Sequence, residues 1–290
     1  MLSLLAAAQV IGASNAPIQW AELGLTPGID LGFFTLRWYS LAYLAGIVLG
    51  YLHLSRMIKA PGAPMAQRHA DDLFFYCTLG IILGGRLGYL FFYRPELLGT
   101  LDMFKLWEGG MSFHGGLIGV VLAIAFVAFR NGLSFIRVCD YISVNIGFGM
   151  LFGRLANFVN GELYGRPADV EWAMVFPSDP LGLARHPSQL YQAGLEGLLV
   201  IAVMLPLFWY TRARYRPGLL VGVFTVVISA ARFIAEFFRE PDAHLAYVVA
   251  ETGLSRGQWL TIPMIAVGLG VIAYSLTRKP AGGSKAHATA

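Results

Sequence analysis

Long apolar stretches separated by short polar segments run along almost the whole chain. A helix needs about 20 predominantly apolar residues to cross the hydrocarbon core of a bilayer, and these stretches reach or approach that length. The predicted spans cover about residues 38–58, 73–93, 115–129, 138–159, 189–210, 219–238 and 260–276. The pattern therefore predicts an all-α polytopic membrane protein with about seven transmembrane helices.

The composition agrees with this prediction. Of the 290 residues, 57% are hydrophobic and 13% are charged, and the mean hydropathy is +0.62. Soluble domains carry about 25% charged residues, so a soluble fold is excluded. The net charge of +4 comes from basic residues that form no long run, which argues against a nucleic-acid partner. Cys77 and Cys139 have no metal-ligand or disulfide spacing, and no metal or cofactor is expected.

The distribution of Lys and Arg predicts the orientation of the spans. Eleven of these residues fall on the face that carries the short turns and the C-terminus, and seven fall on the opposite face. By the positive-inside rule the first face is cytoplasmic, so the N-terminus lies outside and the C-terminus inside. We expect a single transmembrane domain over residues 1–280, with an outer interfacial segment at 1–36 and an outer loop region at 161–188. Residues 281–290 read as a disordered cytoplasmic tail.

Three arginines, Arg86, Arg154 and Arg232, fall inside predicted spans. An arginine near the middle of a spanning helix costs about 2.5–3.5 kcal/mol on insertion scales. Such residues usually pair with a carboxylate or line a polar cavity. All three are therefore candidates for a functional site, and the role of Arg86 stays open.

The segment ARFIAEFFREPD at 231–242 places Arg232, Glu236 and Arg239 at positions i, i+4 and i+7. In a continuous helix these side chains share one face, where Glu236 can pair with either arginine. One interpretation is an ion pair that links helices. The other is a clamp for a phosphate or carboxylate, since guanidinium groups bind such oxyanions through parallel hydrogen bonds.

A second polar cluster, GRLANFVNGELYG at 153–165, ends the fourth predicted span. Asn160 and the following glycine are a helix-ending signal, so Arg154 should project inside the membrane while Asn160 and Glu162 lie at its outer rim. Asn157 lies between them on the same face. Polar residues also cross-link helices in membrane bundles, which is the alternative interpretation.

Two further segments carry candidate chemistry at the outer ends of spans. His114, in WEGGMSFHGGL at 107–117, is flanked by glycines that leave its imidazole accessible for proton transfer near neutral pH. In RHPSQLYQAGLE at 185–196, Gln189, Gln192 and Glu196 share a helix face. For His186, at the start of that segment, a structural role and a catalytic one stay open.

Together these segments resemble the bacterial prolipoprotein diacylglyceryl transferase family. Residues 153–165 are similar at every specified position to the family signature G-R-x-[GA]-N-F-x-N-x-E-x-x-G. The resemblance also covers RWYSLAYLAG (37–46), GGRLGYLFFY (84–93), WEGGMSFHGGLIGV (107–120), RHPSQLYQ (185–192) and ARFIAEFFREPD (231–242). The N-terminal segment and residues 166–184 depart from the family pattern, which bears on how a peptide substrate is received.

The resemblance implies transfer of the diacylglyceryl group from phosphatidylglycerol to the thiol of the lipobox cysteine in a prolipoprotein signal peptide, with release of glycerol 1-phosphate. It implies catalytic roles for His114, Arg154 and Arg232, with Tyr39 or Glu162 as the alternative proton acceptor. The substrate-binding residues that it implies are Arg154, Tyr39, Asn157, Asn160, Glu162, Gly165, Glu236 and Arg239. It further implies a monomer surrounded by membrane lipid in the bacterial inner membrane, with a small periplasmic loop region and an active site toward the periplasm.

Two rival functions are compatible with intramembrane arginines. A transporter for an anionic or lipid-like solute would also use them. A transport path should, however, carry polar residues through to the cytoplasmic side, whereas here they concentrate toward the outer third of the spans and Arg86 is the exception. A scaffold protein without activity leaves His114 and the arginines unexplained.

Overall fold

Every predicted span corresponds to helical structure in the computed structural model, which describes residues 17–32, 35–106, 109–240 and 251–281. The helices are α1 (Trp38–Met57), α2 (Gln67–Tyr93), α3 (Phe113–Arg130), α4 (Phe135–Ser143), α5 (Ile146–Val159), α6 (Ser188–Tyr210), α7 (Leu219–Ala235) and α8 (Arg256–Thr277). The predicted all-α fold class is confirmed.

In the part of the chain that the structure describes, fewer helices have the length and hydropathy of a membrane span than the seven spans predicted. Among the described residues, α2, α3, α6 and α8 are each long and apolar enough to cross a membrane. The pair α4 and α5 makes a fifth candidate if it counts as one span, and α7 is a shorter apolar helix. The predicted number of seven is therefore not confirmed. Large apolar side chains such as Phe91, Phe92 and Phe129 are exposed on these helices, as expected of a protein that faces lipid.

The predicted span over 138–159 consists of two helices, since α4 and α5 are bent by 43° at a short break. At the break, the Asn145 side chain donates to the Tyr141 carbonyl oxygen at 2.8 Å, and the Asn145 backbone N–H bonds to Ile142 three residues earlier. Asparagine competes in this way with the regular hydrogen bonds of a helix. Helix α5, which carries Arg154, therefore runs in a different direction from α4.

The described chain divides into two compact units. The first comprises Met1–Gly46, Gly147–Val200 and Val226–Ala266, and the second Ile47–Ile146, Ile201–Thr225 and Val267–Ala290. Residues 1–16 of the predicted interfacial segment and 282–290 of the predicted tail lie outside the described residues. The backbone N–H of Ala281, the first residue of that predicted tail, donates to the Tyr215 carbonyl oxygen at 2.7 Å.

Short strands accompany the helices of the first unit. Strands β1 (Ile18–Gln19), β4 (Met174–Val175) and β5 (Ala184–Arg185) form a sheet in the order β1–β4–β5, with β1 parallel to β4 and β4 antiparallel to β5. Strands β2 (Gly28–Asp30) and β3 (Thr35–Arg37) form an antiparallel pair. Near β1, the buried Trp20 donates from Nε1 to the Phe158 carbonyl oxygen at 2.9 Å. The N-terminal segment is thus joined to the loop at 161–188 and to the end of α5.

Glycines allow close helix packing in both units. In the first unit, a Cβ on Gly46 of α1 would lie 2.9 Å from the Cα of Gly149 in α5, and one on Gly197 of α6 would lie 2.7 Å from the Cα of Leu151. In the second unit, a Cβ on Gly80 of α2 would lie 2.5 Å from the carbonyl oxygen of Gly119 in α3. Small residues let helix backbones approach one another in membranes, where packing replaces the hydrophobic effect.

Candidate active site

A buried carboxylate joins two of the intramembrane arginines. Glu196 of α6 accepts from Arg154 Nη2 of α5 through Oε2 and from Arg232 Nη1 of α7 through Oε1, each at 3.2 Å. The Glu196 side chain is 1% exposed, whereas Arg154 and Arg232 are 21% and 25% exposed. The carboxylate is therefore buried, whereas the two guanidinium groups that contact it are partly exposed.

A second carboxylate extends the cluster. Glu236 forms ion pairs with Arg232 and, at 3.3 Å, with Arg239 Nη1. Its other oxygen, Oε2, accepts from Ser255 Oγ at 2.7 Å. The predicted pairing of Glu236 with its neighbouring arginines is thus observed. We call Arg154, Glu196, Arg232, Glu236 and Arg239 the ion cluster.

The prediction that Arg232, Glu236 and Arg239 share one face of a continuous helix is wrong. Helix α7 ends at Ala235, three residues before the predicted end of the span at 238. The backbone N–H groups of Phe237 and Phe238 bond three residues back, to Ile234 and Ala235, which tightens the chain into turns. Arg239 therefore reaches Glu236 from a turn after the helix.

The signature segment organises Glu162 at the end of α5. Gly161 has a φ of +65°, which suits the left-handed turn after a helix. The side chains of Asn157 and Asn160 both donate from Nδ2 to Glu162 Oε1, at 2.9 and 3.3 Å, and Gln189 Nε2 donates to the Glu162 carbonyl oxygen at 2.7 Å. The two asparagines thus orient Glu162, while Glu196 contacts the arginines.

Gly165, predicted to bind substrate, lies where two loops touch. Its backbone N–H donates to the His186 carbonyl oxygen at 2.9 Å, and a Cβ at this position would overlap the Phe238 carbonyl oxygen and lie 2.8 Å from the His186 Cβ. Next to it, Arg166 Nε donates to the Arg239 carbonyl oxygen at 2.9 Å. This geometry gives Gly165 a packing function that holds the backbone of Arg239 in place.

A buried ion pair secures the loop at 161–188. Arg185 donates from Nε to Asp179 Oδ2 at 2.6 Å and from Nη2 to Asp179 Oδ1 at 3.1 Å, and its Nη1 lies 3.2 Å from Glu240 Oε2. The hydrogen bonds from Arg185 hold the pKa of Asp179 below its usual value. Burial lowers the pKa of His186, whose Nδ1 lies 3.2 Å from the Tyr191 hydroxyl group. These contacts support a structural role for His186.

Tyr39 and His114 begin helices in different units. Tyr39, in the first turn of α1, shares a hydrogen bond of 3.1 Å with the Tyr43 hydroxyl group. His114, in the first turn of α3, is exposed and packs edge-on against Phe113 with ring centroids 5.6 Å apart. Ser112 caps this helix, because its Oγ accepts from the Gly115 N–H at 3.3 Å. The proposed proton transfer by His114 stays a prediction.

Arg86, the third intramembrane arginine, organises a loop in the second unit. It is 6% exposed and donates to four carbonyl oxygens, those of Asp102, Met103, Gly109 and Gly110, at distances from 2.7 to 3.3 Å. Its guanidinium group also lies 5.5 Å from the centre of the Tyr89 ring. These contacts account for its burial without a ligand.

The charge of the ion cluster suits an anion. Three guanidinium groups and two carboxylates leave one net positive charge, and arginine stays protonated in proteins. Fixed guanidinium groups in a water-poor site stabilise negative charge that develops during a reaction. Within the described residues, no group of three or more His, Cys, Asp or Glu side chains is placed to hold a metal ion.

Glu196 is not among the site residues predicted from the sequence. The available signal was its position on the shared face of 185–196, where Gln189 and Gln192 are also about 1% exposed. A glutamate in the middle of a predicted span is as costly to bury as an arginine, and it has the charge that two intramembrane arginines require.

One family model and several known proteins match most of this chain. Residues 28–274 match the family model for prolipoprotein diacylglyceryl transferase. The chain is 73% identical to the phosphatidylglycerol–prolipoprotein diacylglyceryl transferase of Erythrobacter litoralis over 278 residues, which cover 96% of this chain and 99% of that protein. Proteins of the same name from Zymomonas mobilis and Azospirillum brasilense are 49% and 47% identical, over 90% and 88% of this chain and 95% and 97% of theirs.

Proposed function

The chain belongs to the prolipoprotein diacylglyceryl transferase family, and we propose that it transfers the diacylglyceryl group of phosphatidylglycerol to the thiol of a lipobox cysteine in prolipoproteins. The ion cluster is the observation that supports a site for this reaction. In it, Arg154 and Arg232 contact one buried carboxylate, and both side chains remain partly exposed. Guanidinium groups suit a phosphodiester, because they bind phosphate oxygens through parallel, charge-assisted hydrogen bonds.

The reaction forms one bond and breaks another. The cysteine sulfur attacks the glyceryl carbon that bears the phosphate, a C–S bond forms, and the C–O bond breaks with its electron pair on the leaving glycerol 1-phosphate. A free thiol has a pKa of about 8.5, so a base beside it raises the reactive thiolate fraction at neutral pH. We assign the thiol proton to His114, with Tyr39 or Glu162 as the alternative acceptor.

The arginines act on the leaving group. Its phosphate gains negative charge as the C–O bond breaks, and donors already in place stabilise that charge without reorganisation. In this proposal Arg154 and Arg232 contact the phosphate, and Glu236 and Arg239 support them. Asn160 and Glu162, with Asn157, bind the glycerol hydroxyl groups, while Tyr39 and Gly165 shape the surroundings.

The chain is an integral membrane protein with several apolar helices. We place it in the bacterial inner membrane as a monomer, with the active site toward the periplasm. This location fits the chemistry, because the lipid donor is part of the bilayer and the signal peptide is tethered to it. The site must then open laterally to membrane lipid.

Transfer of labelled phosphatidylglycerol to a lipobox peptide tests the proposal. The wild-type protein should form the thioether product, and Arg154→Ala should abolish it while the protein stays folded and inserted. Wild-type turnover in Arg154→Ala would refute the role of the ion cluster. Solute uptake into proteoliposomes without lipid transfer would instead support the transporter interpretation.

A further inference from the structure

We infer that Glu196 is a positioning residue, whose carboxylate sets the spacing and orientation of Arg154 and Arg232 for the phosphodiester of the lipid. The inference rests on the proposed function. It starts from the geometry of one side chain, since the two oxygens of Glu196 contact different arginines at the same distance of 3.2 Å. Moving this carboxylate would therefore displace both guanidinium groups.

Glu196 and the two arginines differ in burial, and this difference indicates different roles. At 1% exposure the carboxylate has no surface left for a ligand, whereas the arginines keep about a fifth to a quarter of theirs. Its contacts engage one terminal nitrogen of each arginine, and a guanidinium group has five N–H donors. Arg232 also pairs with Glu236 through its other terminal nitrogen, and the N–H groups of Arg154 and Arg232 that neither carboxylate engages are available to phosphate oxygens.

The backbone around Glu196 is held in an unusual conformation. Residues Ala193–Leu198 form a π-helical turn inside α6, and such turns are frequent at functional sites. The next residue, Gly197, packs so closely on Leu151 that a Cβ would lie 2.7 Å from the Leu151 Cα. Leu151 precedes Arg154 by three residues on α5. The turn thus fixes the backbone of Glu196 against the helix that carries one of its partners.

The negative charge of Glu196 has a second effect, on the release of the phosphate product. Counted over its five residues, the ion cluster has one net positive charge, which favours an anion. A leaving phosphate monoester carries about 1.5 to 2 negative charges at pH 7. Without the charge of Glu196 the cluster would have two net positive charges and would retain this product more strongly. Glu196 therefore favours alignment of the substrate and release of the product.

The test uses the full-length protein with labelled phosphatidylglycerol and a lipobox peptide. Glu196→Gln removes the charge at nearly constant volume, Glu196→Asp keeps the charge on a shorter side chain, and Glu171→Gln is a charge-matched control in the exposed outer loop. We expect Glu196→Gln to lower kcat about 100-fold, as a misplacement near 1 Å does. The KM for phosphatidylglycerol should stay equal or fall, and inhibition by added glycerol 1-phosphate should strengthen.

The other variants separate positioning from folding. Glu196→Asp should recover part of the lost kcat, and Glu171→Gln should behave as the wild type. Wild-type kcat in Glu196→Gln would overturn the inference, and so would a raised KM with unchanged kcat, which marks a contact equal in ground and transition states. A loss of kcat that only follows the loss of folded protein in both Glu196 variants would overturn it as well. If the proposed function itself fails, the wild-type protein transfers no lipid.

Discussion

Charged side chains in the first unit are arranged so that each buried acid has more than one partner. Glu196 and Glu236 each contact two arginines, and Asp179 accepts two hydrogen bonds from Arg185. A buried charge without a partner costs several kcal/mol, and the loss of Glu196 would remove the ion pair of Arg154, whereas Arg232 would keep Glu236 and Arg185 would keep Glu240 after the loss of Asp179. At the scale of residues, burial therefore distinguishes the acids that hold the site from the exposed arginine edges that can bind substrate.

His114→Gln tests the proposed proton acceptor. If His114 takes the thiol proton, the variant should lose about 10²–10⁴-fold in transfer rate at neutral pH. The loss should shrink as the pH rises above about 8.5, because the substrate thiol then ionises without help. Transfer rates measured across this pH range with a fixed peptide concentration check the prediction. A loss that is the same at every pH would direct attention to Tyr39 or Glu162.

Asp179→Asn tests the ion pair in the outer loop. Because Arg185 holds the pKa of Asp179 below its usual value, the pair contributes stability above the unfolded carboxyl pKa of about 3.9 and loses it as the pH falls through the lower folded value. At neutral pH the substitution should cost about 1–3 kcal/mol, because it removes a charged hydrogen-bond partner while Arg185 keeps Glu240. Thermal unfolding in detergent from neutral to acid pH should show the two proteins converging in acid.

An exposed ion pair provides the control for this experiment. Arg94 and Glu96 pair in a loop of the second unit with side chains 50% and 58% exposed. Glu96→Gln should leave the unfolding temperature unchanged, since exposed pairs add little to stability. A constant difference between Asp179→Asn and the wild type at all pH values would contradict the assigned charge effect.

At the scale of elements, the contact between α2 and α3 predicts which glycines tolerate a methyl group. A Cβ on Gly119 would overlap the Gly80 carbonyl oxygen, whereas a Cβ on Gly116 would lie 3.7 Å from the Ile81 carbonyl oxygen, an ordinary contact. Gly119→Ala should therefore destabilise the protein by about 1–3 kcal/mol, as overpacking does. Gly116→Ala should be neutral or stabilising. Thermal unfolding of both variants measures the difference, and equal stability would contradict the packing.

The apolar pattern predicted most helices closely, because span length and hydrophobicity are set by local sequence. The predicted span 38–58 and α1 (Trp38–Met57) differ at one end by a single residue. Local sequence was less informative where a side chain or turn interrupts the helix, as Asn145 does between α4 and α5. The π-helical turn in α6 was not anticipated either; its Gly197 packs against Leu151 of α5, a contact between residues distant in sequence.

At the scale of the whole molecule, contacts distant in sequence explain what could not be predicted. The arginines followed from the cost of burying charge, but their joint carboxylate lies 42 residues from Arg154 and 36 from Arg232 along the chain. The pairing of Ile18 with Met174 likewise joins segments that show no strand pattern. Periodicity reports which face of a helix is buried, and it does not report which other helix covers that face.

The orientation of the chain in the membrane is the remaining prediction at this scale. The excess of Lys and Arg on one face places residue 61 in the cytoplasm and residue 171 outside. Single cysteines at these exposed positions, Pro61→Cys and Glu171→Cys, can be introduced into a background with Cys77→Ala and Cys139→Ala. A membrane-impermeant maleimide should label Glu171→Cys in intact spheroplasts, and should label Pro61→Cys only after permeabilisation. The reverse labelling pattern would turn the site toward the cytoplasm, where an exported signal peptide is not available to it, and would exclude the proposed location of the reaction.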